Sequence, residues 1–286
     1  MHSPALGIYG IWLLAAASAL HADIPNPTPA EAAQLIAKVP SDIRKIAFQC
    51  RLQSSKLGEK TLNIADLYLA WVVATDCYYS CEIQYRDERG TDPEHVVIQS
   101  WDGKQQIYWE RYVDKTRPGF AMIGPEPQDP GTVILRSNAR TGTLVEFQEA
   151  LFPLRFGSAH ENAPGEISAV NTAPKTLGIE TGAIFQLKSQ SNVLQIHNPS
   201  GWVVDHLTQF AGQDSLRLQL SDFHAIPTTP VVFPAHLERT ASFNATGTFK
   251  TDIRIAPDTI KLNDEVVLPI AAWPSQTHIQ DERGKP

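Results

Sequence analysis

The chain has 286 residues, is 42% hydrophobic and carries 31 acidic against 24 basic side chains, for a formal charge of −7. That apolar content is enough for a large core and argues against global disorder. The acidic balance, with no run of Lys or Arg, argues against nucleic acid and anionic membrane surfaces as partners.

The first element is an uncharged apolar run, Ile8–Leu20, followed by small residues and a polar break at His21-Ala22-Asp23. An apolar core of this length before a small-residue site predicts a secretory signal peptide over residues 1–22. Its n-region lacks Lys and Arg, so the α-amino group and His2 supply the positive charge. The run is too short to span a bilayer, which takes about 20 apolar residues. Cleavage after Ala19 fits the pattern, and cleavage after Ala22 fits it better because Asp23 opens a polar stretch. Residues 23–286 are then expected to form one exported domain, periplasmic or otherwise outside the cytoplasm, with no membrane span.

Thr28-Pro29-Ala30-Glu31 reads as a helix start. Thr28 can cap, Pro29 suits the first helical position, and Glu31 stands where a capping box places its acid. Ala32, Leu35, Ile36 and Val39 share one face, and Pro40 is the expected end. A separate helical turn is expected at Ser41-Asp42.

From Ile46 the period shortens to that of strands. Ile46–Leu57 alternates loosely; Leu62–Ala74 is apolar on both sides, which suits a doubly buried strand or a short helix. Cys77–Arg86 alternates again. Val96–Trp101 and Gln106–Tyr112 flank Asp102-Gly103, a strong hairpin signal. Arg117–Gly131 is expected as a loop, and Arg140–Pro174 as irregular chain with a helical turn near Phe147–Leu151. Six further strands are expected at Ala183–Gln190, Asn192–His197, Gly201–Leu207, Leu216–Asp222, Val231–Asn244 and Thr248–Ile255. Successive strands without intervening helices form an antiparallel sheet. The expected fold is therefore α+β: a large curved antiparallel sheet, an unclosed barrel of about ten strands, with an N-terminal helix and a long irregular middle insertion.

Three cysteines, Cys50, Cys77 and Cys81, allow one disulfide plus a free thiol, or buried thiols throughout. If Cys77 and Cys81 lie on one strand, their backbones are about 13 Å apart. That exceeds disulfide reach, and Cys50 would be the partner of one of them. If the segment is a loop, Cys77 can bond Cys81 directly.

Four features resemble the superfamily of outer-membrane lipoprotein carriers and sorting proteins. An amphipathic helix leads into Ile46-Ala-Phe-Gln49. A strand ends in Asp-Gly-Lys at Ile98–Lys104. Trp202-Val-Val-Asp205 starts a hairpin that returns through Leu216–Asp222. Phe233-Pro-Ala-His-Leu-Glu-Arg239 resembles the strand in which those proteins continue the sheet. The tail Trp273–Gly284 is similar to the end of other exported relatives. The chain differs from the small carriers in its length, its Pro-rich insertion and its three Cys.

The resemblance implies a non-enzymatic binding protein that holds a lipid or a lipidated protein in a half-barrel cavity, with no cofactor. Trp71, Tyr79, Trp101, Trp109 and Trp202 are the candidate ligand-lining residues; ordinary sheet core is the plain alternative for each. A cell-envelope protein-interaction or sensor module, with an envelope protein as partner and no lipid, is the second function class. The nucleophile-elbow, phosphate-loop and His-Glu-x-x-His patterns do not occur. His206, His224 and His236 fall in the C-terminal strand region, with Asp205 and Asp222 beside the first two. Register decides whether they gather as a metal or acid/base set. Ser158, His160 and Glu161 sit in one loop and are not expected to share a catalytic geometry.

Overall fold

The structure is a computed structural model. It describes residues 27–281, except 60–61, 76, 115–118, 125–146, 148–149, 153–165, 173–182, 189–190, 211, 213, 228 and 271–276. The expected signal peptide and the Ser158, His160, Glu161 loop lie outside the described residues. No helix among the described residues is long and apolar enough to cross a membrane.

Helix α1 (Pro29–Asp42) starts as its sequence dictates. The Thr28 hydroxyl accepts from Glu31 N at 3.3 Å, and the Glu31 carboxylate accepts from Thr28 N at 2.7 Å. The reciprocal pair satisfies two of the donors that a helix start leaves open. The helix does not stop at Pro40. Its last turn takes in Ser41 and Asp42, and the N–H of Ile43 closes it by donating to Val39 O.

Two antiparallel meanders follow. The first is β1 (Lys45–Lys56), β2 (Leu62–Val72), β3 (Cys77–Tyr85), β4 (Pro93–Trp101), β5 (Gln106–Tyr112) and β6 (Phe120–Gly124). The second is β7 (Glu166–Thr172), β8 (Ala183–Lys188), β9 (Asn192–Asn198), β10 (Val203–Gln209), β11 (Ser215–Ala225), β12 (Val232–Phe243) and β13 (Gly247–Ile255). The meanders merge where β1 pairs with β13, from Cys50↔Ile255 to Lys56↔Phe249. A short β14 (Lys261–Leu262) adds to β1, and β15 (His278–Asp281) adds parallel to β6. The result is one sheet of 15 strands with β15 and β7 at its ends, which do not pair with each other.

The fold is thus one large unclosed sheet with little helix. The strand number exceeds the expected ten or so for an identifiable reason. Short strands embedded in Pro/Gly-rich sequence carry too few residues to show a period of two. Phe120–Gly124 falls in an expected loop and is β6; Glu166–Thr172 falls in expected irregular chain and is β7. Leu62–Ala74, ambiguous by periodicity, resolves as β2 because both neighbours pair along its length.

Successive side chains point to opposite faces of a strand. One face, called inner here, carries Phe48, Cys50 and Leu52 of β1 and Leu67, Leu69 and Trp71 of β2. They join Leu218 and Leu220 of β11, Leu237 of β12 and Ile253 and Ile255 of β13 in one core. Each such side chain contributes about 1.5–3 kcal/mol when taken from water. Helix α1 lies on this face. Ala32 and Ile36 pack on Leu194, Ile196 and Val203, and Val39 enters the main core.

Candidate functional site

The inner face over β1, β2 and β10–β13 is lined by large apolar groups, and a short segment of the chain seals it. Phe147, Ala150 and Leu151 are helical, as the sequence predicts for this stretch, and with Phe152 they are buried in the main core. The Phe147 ring meets Phe48 edge-on at 4.9 Å, and Phe152 meets Trp71 at 5.3 Å. Edge-to-face pairs of this kind add about 0.5–1.5 kcal/mol beyond their buried area. So the lining of the inner face is complemented by two phenylalanines from the middle insertion, together with the end of helix α1.

The five aromatic residues expected to line a ligand divide between the faces. Trp71, Trp101 and Trp202 belong to the inner core. Trp202 meets Phe233 edge-on at 5.6 Å, and its indole N–H donates to Val232 O at 2.9 Å. The two other residues point the opposite way. Tyr79 pairs in register with Ala70 and packs on Tyr68 at 6.1 Å, across the outer face. Trp109 lies opposite Ile98 and Ala121, with its indole N–H on Thr277 Oγ1 at 3.2 Å and the Arg111 guanidinium over its ring. The inward tyrosine of β3 is Tyr78, which is buried and in register with both Trp71 and Trp101. Sequence alone points to Tyr79 because it shares its parity with Cys77, Cys81 and Ile83, the more apolar side of β3; sheet register instead turns the side of Tyr78, Ser80 and Glu82 inward.

Toward β3–β5 the inner face turns polar. Glu82, Gln84, His95, Gln99, Tyr108 and Glu110 alternate onto it through the pairs Glu82↔Val97, Gln84↔His95, Gln99↔Tyr108 and Val97↔Glu110. Gln84 donates to Glu82 at 2.9 Å, and the Tyr108 hydroxyl donates to Glu110 at 2.5 Å. Burial and the hydrogen bond to Glu110 push the Tyr108 phenol well up, so it remains a donor at neutral pH. His95 stacks on Tyr112 and lies 3.6 Å from Glu110. One continuous surface therefore passes from aromatic and aliphatic lining to hydrogen-bonding groups. The signal is present in the sequence, because these strands alternate polar residues onto one parity, but parity alone does not say which side faces in.

The three expected histidines do not gather. His206 points inward and is buried, with Nε2 3.1 Å from Asn192 Oδ1 and 3.0 Å from Thr208 Oγ1. Burial pulls its pKa down to about 4, against the opposing effect of Asp205. His224 contacts Asp222 at the surface at 3.2 Å. His236 sits on the outer face between Ser221 and Asp252.

The depressed pKa of His206 has a defined sign for stability. The unfolded chain takes up this proton near pH 6.5, and the folded chain only near pH 4. Its neutral form is favoured by folding, so this contribution is complete above about pH 6.5. It is lost as the pH falls through that window, by about 3 kcal/mol in all. Urea unfolding of wild type and His206→Gln at pH 7, 5 and 4 is expected to show wild type losing more stability than the variant. Parallel curves would rule out His206 as a source of acid sensitivity.

All three cysteines are thiols. Cys50 faces inward beside Leu67, whereas Cys81 lies opposite Tyr68 on the outer side, so the sheet separates them. Burial raises the Cys50 thiol pKa well above its ordinary value and that of Cys81 to a lesser degree, which keeps both protonated.

No protein-family model matches the chain, and neither does any curated protein sequence. Solved structures do resemble it. A lipoprotein-sorting protein domain of the outer membrane from Vibrio parahaemolyticus, itself given that role as putative, is 7% identical. The match covers 84% of this chain and 95% of that one, with a TM-score of 0.45. A LolA superfamily protein from Nitrosomonas europaea is 8% identical over 81% and 94% of the two chains, with a TM-score of 0.40. LprF from Mycobacterium bovis is 12% identical over 86% and 99%, with a TM-score of 0.33.

Proposed function

We propose that this is an exported, non-enzymatic binding protein that holds an acyl-bearing ligand, either a lipid or a lipidated protein, on the inner face of its unclosed sheet. The observation that carries this reading is how that face is sealed. Among the described residues, the apolar part of a 15-stranded sheet is covered by helix α1 and by Phe147, Ala150, Leu151 and Phe152. An acyl chain replacing those two rings would meet Phe48, Trp71 and Trp101, and would gain about 25 cal/mol for each Å² buried. The neighbouring polar zone around Glu82, Gln99, Tyr108 and Glu110 suits the head of an amphiphile, since it offers both donors and acceptors next to the apolar wall.

The test is native mass spectrometry of the protein purified from an exporting host, followed by solvent extraction and incubation with phospholipid. A retained acyl adduct, before or after incubation, is expected. A clean apo mass under both conditions would overturn the lipid reading. It would move the assignment to a protein-interaction module whose inner face is permanently filled by its own Phe147–Phe152 segment.

A further inference from the structure

The outer face carries a second arrangement that the ligand reading does not use. In the sheet β12 lies between β11 and β13, and alternation puts His236 and Glu238 on one side of it. Register sets Glu238 directly opposite Asp252 on β13, and His236 opposite Ser221 on β11. One donor atom from each of His236, Glu238 and Asp252 lies within 4.8 Å of the other two, and all three residues are partly accessible. Among the described residues this is the one such group of three.

Three features favour a cation here. Two carboxylates directly opposed on neighbouring strands repel each other, so a positive charge between them is stabilising. His236 Nε2 is 2.8 Å from Asp252 Oδ2, so an imidazole nitrogen and a carboxylate oxygen already converge on one point. The other ring nitrogen, Nδ1, is 2.9 Å from Ser221 Oγ, the outer contact that orients a metal-binding imidazole. The cations already present are weakly held competitors. Lys250 Nζ is 2.7 Å from Glu238, and Arg254 Nε is 3.1 Å from Asp252, but their side chains are 51% and 67% exposed. Ion pairs with such exposed partners contribute little and exchange readily with water.

We infer that His236, Glu238 and Asp252 form a binding site for a divalent transition metal of the zinc type. An imidazole with two carboxylates suits Zn²⁺, whereas Mg²⁺ and Ca²⁺ prefer all-oxygen sets. Donors on a tetrahedral ion with bonds of about 2.1 Å sit about 3.4 Å apart, so rotation of the Glu238 and Asp252 side chains closes the set. The fourth position faces solvent.

The test is isothermal titration of chelator-stripped protein with zinc chloride, on wild type, His236→Ala and Lys250→Ala. Wild type is expected to bind one equivalent. His236→Ala should weaken binding at least tenfold, and Lys250→Ala should tighten it severalfold by removing the competitor for Glu238. Circular dichroism of each variant separates loss of the site from loss of the fold, and Asp252→Asn serves as a second ligand variant should His236→Ala fail to fold. Absence of a stoichiometric zinc isotherm in wild type overturns the inference. So does binding that survives both ligand variants, because the zinc then sits elsewhere and the cluster is an ion-pair network alone.

Discussion

Replacing Phe147 and Phe152 together by alanine is expected to raise the affinity for a fluorescent fatty-acid probe at least tenfold while lowering the urea midpoint. Both rings are almost fully buried, and each docks on an aromatic residue of the inner face. A buried Phe→Ala change typically costs about 3–5 kcal/mol, because the transfer energy is lost and a cavity is left. If that cavity is the ligand position, the same substitution removes a competitor. A site open only a fraction of the time binds more weakly by that fraction, and each tenfold in opening corresponds to about 1.4 kcal/mol. Stability and affinity should therefore move in opposite directions. Probe fluorescence and urea titration on the same preparations distinguish the outcomes. A variant that loses stability with unchanged probe affinity would make Phe147 and Phe152 ordinary core.

Gly201→Ala is expected to lose about 3 kcal/mol or more, mainly by lifting helix α1 from β9 and β10. Gly201 has φ of +81°, where a side chain costs about 1 kcal/mol. A Cβ there would overlap the Leu35 carbonyl oxygen and stand 3.3 Å from Val39 Cγ2. The first contact is with helix backbone, which cannot rotate away. The adjoining Ala32 and Ile36 contacts with Leu194, Ile196 and Val203 would open with it. Gly58 supplies the control. It has φ of +89°, and a methyl added there would meet nothing within 4 Å. Gly58→Ala should therefore cost only the backbone share, about 1 kcal/mol. Denaturant titration gives both values, and amide exchange should show new exposure in α1 and β9 for Gly201→Ala alone. Equal losses for the two variants would mean that the helix adapts to the methyl.

Much of this fold is legible because its rules are local. Thr28 and Glu31 specify the helix start through hydrogen bonds within one turn, and Pro29 through its fixed φ at the first helical position. Asp102-Gly103 between two β-rich runs specifies the β4–β5 hairpin, and Gly103 has the positive φ that such a turn uses. The Phe147–Leu151 stretch reads as helical from its own pattern. Strands β6 and β7 escape this reading because five to seven residues beside prolines present no measurable period.

The candidate site is legible only by parity. Alternation places Trp71 with Leu69 and Leu67, but it does not decide between Tyr78 and Tyr79, or turn Trp109 inward or outward. Local sequence scores both faces of β2 as apolar enough to bury, and on β3 it favours the parity of Tyr79, Cys81 and Ile83, which the sheet turns outward. The decision comes from which face receives α1 and the Phe147–Phe152 segment, a contact between residues far apart in the chain. The same holds for His236, Glu238 and Asp252: the His-x-Glu spacing on β12 is visible in sequence, but Asp252 joins it only through the β12–β13 register.

The helix, the turns and most of the strands are written in the amino-acid order, because each is settled by backbone sterics and hydrogen bonds within a few residues. Three features are settled only by long-range packing: β1 closes on β13, two phenylalanines of the insertion seal the inner face, and an imidazole meets two carboxylates outside it. Those outcomes depend on strand register, and register is fixed by burying one whole face of the sheet at once.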